Sequence, residues 1–232
     1  MRVRGGAMAA ALVASLLVAG CSGDQPGAQA RQQTPGERLS SARAQLEKSP
    51  SVSFTLESEK LPGKAVGVSG AKGTGRFDPP SFQGTLNATV NGVSGSVDVI
   101  AVEDDVYMKF FTPDYNRIDP AEYGAPNPAA LFDTETGITS LVGKTQGLAA
   151  GERTRDGADV VDTLSGTLPG SAVADLLVIG DRAGTYDVRY GITVPGGELR
   201  TVVLEGPFWP GTTSTYTLRL KPLESAAAIT RP

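Results

Sequence analysis

The most distinctive chemical group in this sequence is a single thiol. Cys21 is the only cysteine among 232 residues, and it directly follows the segment Leu17–Gly20. Because a lone thiol has no partner within its own chain, it cannot form an intramolecular disulfide. An exported form of the protein must therefore be stabilised by its core alone, which leaves Cys21 free for other covalent chemistry.

The residues before Cys21 have the composition of an export signal. Arg2 and Arg4 form a positive start, an apolar run from Ala7 to Val18 follows, and small residues precede the cysteine. The run is too short to remain as a membrane-spanning helix. We therefore interpret residues 1–20 as a signal peptide, with an ordinary secretory cleavage site or an uncleaved anchor as the alternatives.

The segment Leu17-Val18-Ala19-Gly20-Cys21 resembles the lipobox of bacterial lipoproteins. In that motif the cysteine thiol takes a diacylglyceryl thioether and becomes the acylated N-terminus after cleavage. The resemblance implies that Cys21 is lipidated and holds the protein on the extracytoplasmic face of the cell membrane. Several acyl chains make such an anchor stable, because each buried methylene contributes about 0.8 kcal/mol and one chain binds only marginally.

The sequence offers few of the residue combinations that catalyse reactions in enzymes. The sequence has no histidine, which excludes Ser-His-Asp and Cys-His catalysis and the usual zinc and copper ligand sets. Ser69-Gly70-Ala71-Lys72 fits a Ser-x-x-Lys motif, but that motif needs a helix and here lies in a glycine-rich strand pattern. Glu103-Asp104-Asp105 could supply glycosidase carboxylates, although a solvated turn between strands is favoured. We expect no enzyme activity, no metal and no cofactor.

The charge balance argues against nucleic acid as a partner. The chain has 21 basic and 25 acidic side chains, for a net charge of −4, and removal of Arg2 and Arg4 makes it more acidic. It contains no basic stripe that could release counterions from a phosphate backbone.

The predicted secondary structure begins after a flexible tether. Residues 21–33 are rich in Gly, Gln, Ala and Ser, which predicts a flexible lipidated N-terminus, and we interpret 34–232 as a single domain. Thr34-Pro35-Gly36-Glu37 is typical of a helix start, because the hydroxyl and the carboxylate can cap the first amides. Pro50 ends this helix, and its apolar residues recur at helical spacing: Leu39, Ala42 and Leu46.

Most of the remaining chain predicts short strands. Alternation and turn residues indicate strands over Val52–Glu59, Ala65–Phe77, Phe82–Asn91, Ser94–Val102, Val106–Phe110, Val160–Leu168, Tyr186–Val194, Leu199–Leu204 and Thr213–Leu220. Short helices are predicted over Pro120–Leu131, Ile138–Leu148 and Ser171–Val178. Helices segregated from consecutive strands favour an α+β fold with an antiparallel sheet. A strongly bent sheet needs a cover for its apolar face, and these few helices are the only candidates.

Three apolar stripes are candidates for the inner surface of this fold. In the strand Phe82–Asn91, one face holds Phe82, Leu86, Ala88 and Val90, and the other face is polar. The predicted helices contribute a stripe of Ile138, Leu141 and Val142 and a second one of Val173, Leu176 and Leu177.

The chain from its N-terminus to about Leu177 resembles the LppX–LprAFG lipoproteins of mycobacteria and related actinobacteria, the LprG-like ones most. The resemblance rests on the order and spacing of loose motifs: Gly84–Gly92, Val106–Lys109, Asn127-Pro128, Asp133–Ile138 and Gly151–Leu168. It implies a half-barrel sheet with short helices packed on its concave face and a hydrophobic cavity between the layers.

The resemblance also implies a function. Members of the family bind multi-acylated lipids or glycolipids and carry them between the membrane and the outer envelope, and LprG-like members are associated with a major-facilitator efflux transporter. The expected cavity-wall residues are Leu86, Ala88, Val90, Ile138, Leu141, Val142, Val173 and Leu176. The alternatives are a structural or accessory envelope lipoprotein that partners a transporter without bound lipid, and a hydrolase that uses only carboxylates.

Overall fold

The first helix, α1 (Pro35–Glu47), starts at the predicted capping residues. The computed structural model describes residues 33–63, 65–90, 93–109, 113–225 and 227–232, so the predicted signal peptide, Cys21 and almost all of the tether lie outside the described residues. The Thr34 hydroxyl accepts a hydrogen bond from the Glu37 amide at 3.2 Å, and the Glu37 carboxylate accepts one from the Thr34 amide at 2.8 Å. The predicted stripe of Leu39, Ala42 and Leu46 is buried.

In the described part of the chain, eleven antiparallel strands form one sheet. The strands are β1 (Ser51–Glu59), β2 (Gly67–Phe77), β3 (Pro80–Val90), β4 (Val93–Val102), β5 (Asp105–Lys109), β6 (Asn116–Ile118), β7 (Gln146–Asp156), β8 (Asp159–Pro169), β9 (Thr185–Thr193), β10 (Leu199–Trp209) and β11 (Thr212–Leu223). Their order is β6-β5-β4-β3-β2-β1-β11-β10-β9-β8-β7, so the first and last strands pair at the centre and the sheet does not close. The predicted α+β class with an antiparallel sheet is confirmed, and β6 and β7 are additional strands.

The helices lie against the C-terminal half of the sheet. Helix α3 (Gly170–Leu177) confirms the helix predicted over Ser171–Val178 and contacts β8 and β9. Helix α2 (Leu141–Lys144) contacts α1, α3 and β8. The buried side chains of these helices and strands form one continuous core that includes Leu39, Leu46, Leu141, Leu164, Val173, Tyr190 and Leu204. This core also includes Phe54, Phe82 and Val99, so it joins the helices to both halves of the sheet.

Two predicted helices are wrong in extent. The segment Pro120–Leu131 forms no α-helix: two 3-10 turns, Pro120–Tyr123 and Ala130–Phe132, flank an extended stretch. Gly124 ends the first turn in the left-handed conformation (φ 62°), and the prolines that follow it cannot continue a helix. In place of the helix predicted over Ile138–Leu148, a short 3-10 turn leads into α2, which ends at Lys144 because the chain turns into β7.

Candidate functional site

An apolar pocket of about 510 Å³ lies between strands β2 to β5 and the segment from Ile118 to Pro128. We call this segment the cover. The wall on the strands is made by Gly67, Val68, Leu86, Ala88, Val93, Gly95, Val97, Val99, Val106 and Met108. The cover contributes Ile118, Pro120, Tyr123, Ala125, Pro126 and Pro128. None of these described lining residues is charged, so the pocket suits a hydrocarbon group.

A smaller pocket of about 50 Å³ adjoins the large one. The two share Val68, Leu86, Pro126 and Pro128. The smaller pocket extends toward Phe54 and Phe82 on the sheet, and toward Leu177 and Ile179 at the end of α3. Leu86 therefore lies between two apolar spaces.

Space in the large pocket comes from small residues on neighbouring strands. Ala88 pairs with Val68 on β2 and with Gly95 on β4. Directly opposed residues of an antiparallel pair lie on the same face of the sheet, close together. Two of the three residues in this row have little or no side chain, so they leave volume where larger residues would close the gap.

Phe132 fixes the cover to the sheet. Its ring centroid lies 5.5 Å from that of Phe54 and 5.8 Å from that of Phe77, both edge to face. It also stacks on Phe82 at 6.2 Å with an angle of 13° between the planes. Aromatic pairs at these separations stabilise by about 0.5–1.5 kcal/mol beyond their buried area. This cluster anchors the C-terminal end of the cover.

Polar contacts hold the chain that follows Phe132. The Asp133 carboxylate accepts hydrogen bonds from the amides of Thr136 (2.7 Å) and Glu135 (2.9 Å) and from the Thr136 hydroxyl (2.8 Å), and these bonds hold the pKa of Asp133 below its usual range. Arg43 of α1 donates to the Thr134 carbonyl at 2.6 Å. The Asp133–Ile138 motif therefore has a structural role, because it ties the cover to α1.

The chain just before Phe132 is tied to the turn between β4 and β5. The Asn127 amide nitrogen donates to the Glu103 carbonyl at 2.7 Å, and the Asn127 side-chain oxygen accepts from the Ala129 amide at 2.9 Å. Asn127-Pro128 therefore forms a tight turn before the 3-10 turn Ala130–Phe132. Asn127 and Phe132 thus hold the C-terminal end of the cover, and the pairing of Ile118 with Val106 on β5 holds its N-terminal end.

The predicted cavity-wall residues fall into two groups. Leu86 and Ala88 line the large pocket, as their strand alternation predicts, and Phe82 lines the smaller one; the side chain of Val90 lies outside the described residues. Of the two helical stripes, Leu177 lines the smaller pocket, whereas the five residues expected in the cavity wall line neither apolar pocket: Ile138, Leu141, Val142, Val173 and Leu176. Leu141 and Val173 are 1% and 0% exposed in the packed core, against which Ile138 and Val142 pack. A ligand-binding role for any of these residues stays a prediction.

Several residues that line the large pocket were not predicted from the sequence. On β4, Val93, Gly95, Val97 and Val99 lie on one face of the strand, and this alternation was available as a signal. The cover residues had no such signal, because the sequence predicts a helix over Pro120–Leu131 that the structure replaces with two 3-10 turns. Their role depends on the contacts of Phe132.

The carboxylates weighed for catalysis lie outside the apolar pockets. Glu103 and Asp104 form the turn between β4 and β5, as predicted, and Arg231 bonds to both Glu103 (3.1 Å) and Asp105 (2.7 Å). The hydrogen bond from Arg231 is the main reason that the pKa of Asp105 is lowered. Within the described ranges, no three His, Cys, Asp or Glu side chains are grouped so that they could hold a metal ion.

No helix in the described part of the chain is long and apolar enough to cross a membrane. The predicted Ser-x-x-Lys segment lies in strand β2, where the Ser69 hydroxyl donates to the Asn87 carbonyl at 3.3 Å and Lys72 is exposed.

Solved structures show the same architecture. LprF from Mycobacterium bovis superposes with a TM-score of 0.69 at 14% identity, covering 85% of this chain and 96% of its own. The lipoprotein LppX from Mycobacterium tuberculosis superposes with a TM-score of 0.64 at 16% identity, covering 84% of this chain and 98% of its own. At these identities the likeness concerns the fold.

Sequence comparison supplies the family. A search of curated proteins gives no match. The family model described as LppX_LprAFG lipoprotein matches residues 5–218, which is most of the chain. The match includes the segments on which the resemblance rests, from Gly84–Gly92 to Gly151–Leu168. The chain therefore belongs to the LppX_LprAFG lipoprotein family.

Proposed function

We propose that this protein is a lipid-binding carrier of the cell envelope. In this proposal, acyl chains of a lipid or glycolipid occupy the apolar pocket, and acylation of Cys21 holds the protein on the extracytoplasmic face of the cell membrane. The observation that supports it best is the pocket of about 510 Å³, whose described lining residues are all uncharged. Membership of a lipoprotein family supports the envelope location.

The size of the pocket suits a long acyl chain. A methylene group takes up about as much space as a water molecule, about 30 Å³, so the pocket matches a chain of roughly sixteen carbons. Such a chain costs on the order of 12 kcal/mol to hold in water, at about 0.8 kcal/mol per methylene. A carrier must offset this cost with an apolar pocket. A lipid with more chains would also use the adjoining smaller pocket, which would have to widen behind Leu86.

The carrier role requires no chemical step. The described walls of the two apolar pockets present no carboxylate, amine or thiol that could act as acid, base or nucleophile on a bound chain. We therefore assign the protein to transfer of intact lipid between the membrane and the outer envelope. The resemblance to LprG-like members adds a major-facilitator transporter as a proposed partner.

Native mass spectrometry of the non-acylated protein, purified from a lipid-synthesising host, tests this function. We expect a co-bound species whose mass corresponds to an acylated lipid and which is released on denaturation. A spectrum that contains only the bare protein, also after incubation with phospholipid vesicles, would contradict the proposal. It would favour the alternative, an accessory envelope lipoprotein that partners a transporter without bound lipid.

A further inference from the structure

Exposed apolar side chains are concentrated around the two pockets. Among the described residues, three large apolar side chains are exposed: Val66 (49%), Val93 (65%) and Val178 (54%). Val93 lines the large pocket, and Val66 directly precedes Gly67, which also lines it. Val178 lies between two residues of the smaller pocket, Leu177 and Ile179. We call these three residues the rim valines.

The strand directions place the rim valines at one end of the strands. Val66 is in the connection from the end of β1 to the start of β2, and Val93 is the first residue of β4. Val178 begins the loop from α3 to β9, and this loop reaches the end of β10, where the Asp181 amide donates to the Pro207 carbonyl at 3.0 Å. The registers show that all these strand ends lie at the same end of the sheet. We call this end of the strands the mouth edge.

Val178 is also conformationally unusual. It adopts the left-handed conformation (φ 61°) at the C-terminus of α3. A β-branched residue rarely adopts this conformation, because its side chain crowds the backbone there. In the described structure this strained position presents an apolar side chain to solvent rather than to the core. Neither the strain nor the exposure stabilises the isolated domain.

Charged residues of both signs lie at both ends of the strands. At the opposite end of the sheet, which we call the far edge, Glu103, Asp156 and Glu198 pair with Arg231, Arg219 and Arg200. At the mouth edge, Lys60 follows Glu59 at the end of β1, and Arg182 follows Asp181 in the loop after α3. Exposed apolar side chains, rather than charge, therefore distinguish the mouth edge from the far edge.

From this arrangement we infer that the mouth edge is a membrane-contacting surface. The rim valines enter the interface of a lipid bilayer, and an acyl chain moves between the bilayer and the large pocket past Val66 and Val93 without crossing water. The apolar rim is continuous with the apolar pocket, as such a route requires. The identity of the cargo rests on the proposed function, whereas the contact with the bilayer rests on the exposed rim valines and their continuity with the apolar pocket.

Site-directed spin labelling of the full, acylated chain tests the contact. Since Cys21 is the only native cysteine, the variants Val66→Cys, Val93→Cys and Val178→Cys each offer one labelling site once that thiol is acylated. Asp104→Cys at the far edge is the matched control. On vesicles of phosphatidylcholine and phosphatidylglycerol, we expect the three rim labels to collide with oxygen rather than with a water-soluble nickel reagent. The control label should do the reverse.

Two results would overturn the inference. One is that the rim labels are as accessible to the nickel reagent as the label at residue 104. The other is that all four labels are shielded, which would mean an unspecific adsorption of the protein. If the rim labels stay in water while native mass spectrometry finds lipid, the membrane contact is wrong and the carrier function stands. If the rim labels enter the bilayer and no lipid is found, the proposed function fails instead.

A charge at the rim tests the route itself. We expect Val93→Asp to slow transfer of a fluorescent phospholipid between such vesicles by about tenfold or more, because the carboxylate must be desolvated at the interface. Ala158→Asp, an exposed apolar-to-acid change in the turn between β7 and β8, is the control and should leave transfer unchanged. The melting temperatures of both variants should match that of the unmodified chain. Equal transfer rates for the two variants would contradict the route.

Discussion

The ring of Phe132 lies directly on the backbone of Gly75. A Cβ atom built at Gly75 would stand 2.1 Å from Phe132 Cε1 and from Phe132 Cζ, a separation that no real Cβ contact shows. Strand β2 therefore needs glycine at this position for the cover to rest on the sheet. The absence of a side chain on one strand sets the position of a segment that closes the pocket.

Gly75→Ala should loosen this attachment. The added methyl group has to displace the ring or the strand, and overpacking of this kind costs about 1–3 kcal/mol. We expect a lower free energy of unfolding in urea and stronger binding of a hydrophobic dye by the folded protein. Gly143→Ala is the control, because nothing lies within 4 Å of its Cβ position and α2 should gain slightly from alanine. Indistinguishable effects of the two substitutions would contradict the role of Gly75.

Leu86→Trp distinguishes a ligand pocket from a packed core. Leu86 is half-buried and lines both apolar pockets, so the larger ring has space to occupy. We expect the melting temperature to stay close to that of the unmodified protein while co-purified lipid, measured by native mass spectrometry on the same sample, is lost.

Leu164→Trp is the matched control for this change. Leu164 is 0% exposed in the main core, where the same substitution should overpack and destabilise by about 1–3 kcal/mol or more. An early-melting Leu86→Trp protein, or one that retains its full lipid load, would contradict the pocket-wall role of Leu86.

Asp133 should make the stability of the protein depend on pH. Hydrogen bonds from Thr136 and Glu135 lower the pKa of Asp133 in the folded state. Its contribution is therefore present above the unfolded pKa of about 3.9 and is lost as the pH falls through the folded value. The neutral variant Asp133→Asn lacks this contribution, so the difference in melting temperature between it and the unmodified protein should shrink between about pH 6 and about pH 3.

The exposed far-edge residue Asp104 provides the comparison for this titration. Asp104→Asn removes the same charge without breaking the bonds that hold the cover. We expect its melting temperature to follow that of the unmodified protein across the titration. A constant difference for Asp133→Asn at all pH values would mean that the loss is steric and not electrostatic.

Cys21→Ala should abolish anchoring. The thiol is the proposed attachment point of the lipid, so the variant should accumulate as an unprocessed precursor or as a secreted, unanchored form. Metabolic labelling with a palmitate analogue, followed by detergent phase partitioning, measures both effects. If the variant is processed normally and still partitions with detergent, the anchor assignment is wrong.

The local patterns that predict this fold are those that depend on neighbours along the chain. The capping residues of α1 and the alternation in β3 require no distant contact, and both predictions are confirmed. Strand β7 could not be found in this way: nearly all its residues are exposed, and two register shifts interrupt its pairing with β8. An edge strand whose two faces are both exposed to solvent has no alternation of apolar and polar residues from which it could be predicted.

The pocket could be predicted only in part, for the same reason. Leu86 and Ala88 follow from strand alternation, whereas the cover follows from the contact between Phe132 and Gly75, which lie far apart in the sequence. The apolar stripe of Ile138, Leu141 and Val142 indicates burial but does not indicate whether a ligand or a core fills the space beside it. Periodicity identifies a buried face, and only the tertiary arrangement of its neighbours decides what it contacts.

The pairing of β1 with β11 has a consequence for the order of folding. Val52 pairs with Pro222, and Phe54 pairs with Leu220, so the centre of the sheet joins the two ends of the domain. Contacts between such distant residues form slowly, because a long loop must close first. A chain that emerges N-terminus first, from a ribosome or from a translocation channel, cannot complete its sheet until nearly its last strand is free. Hairpins between neighbouring strands can form earlier, but the sheet is joined at its centre only when β11 is free.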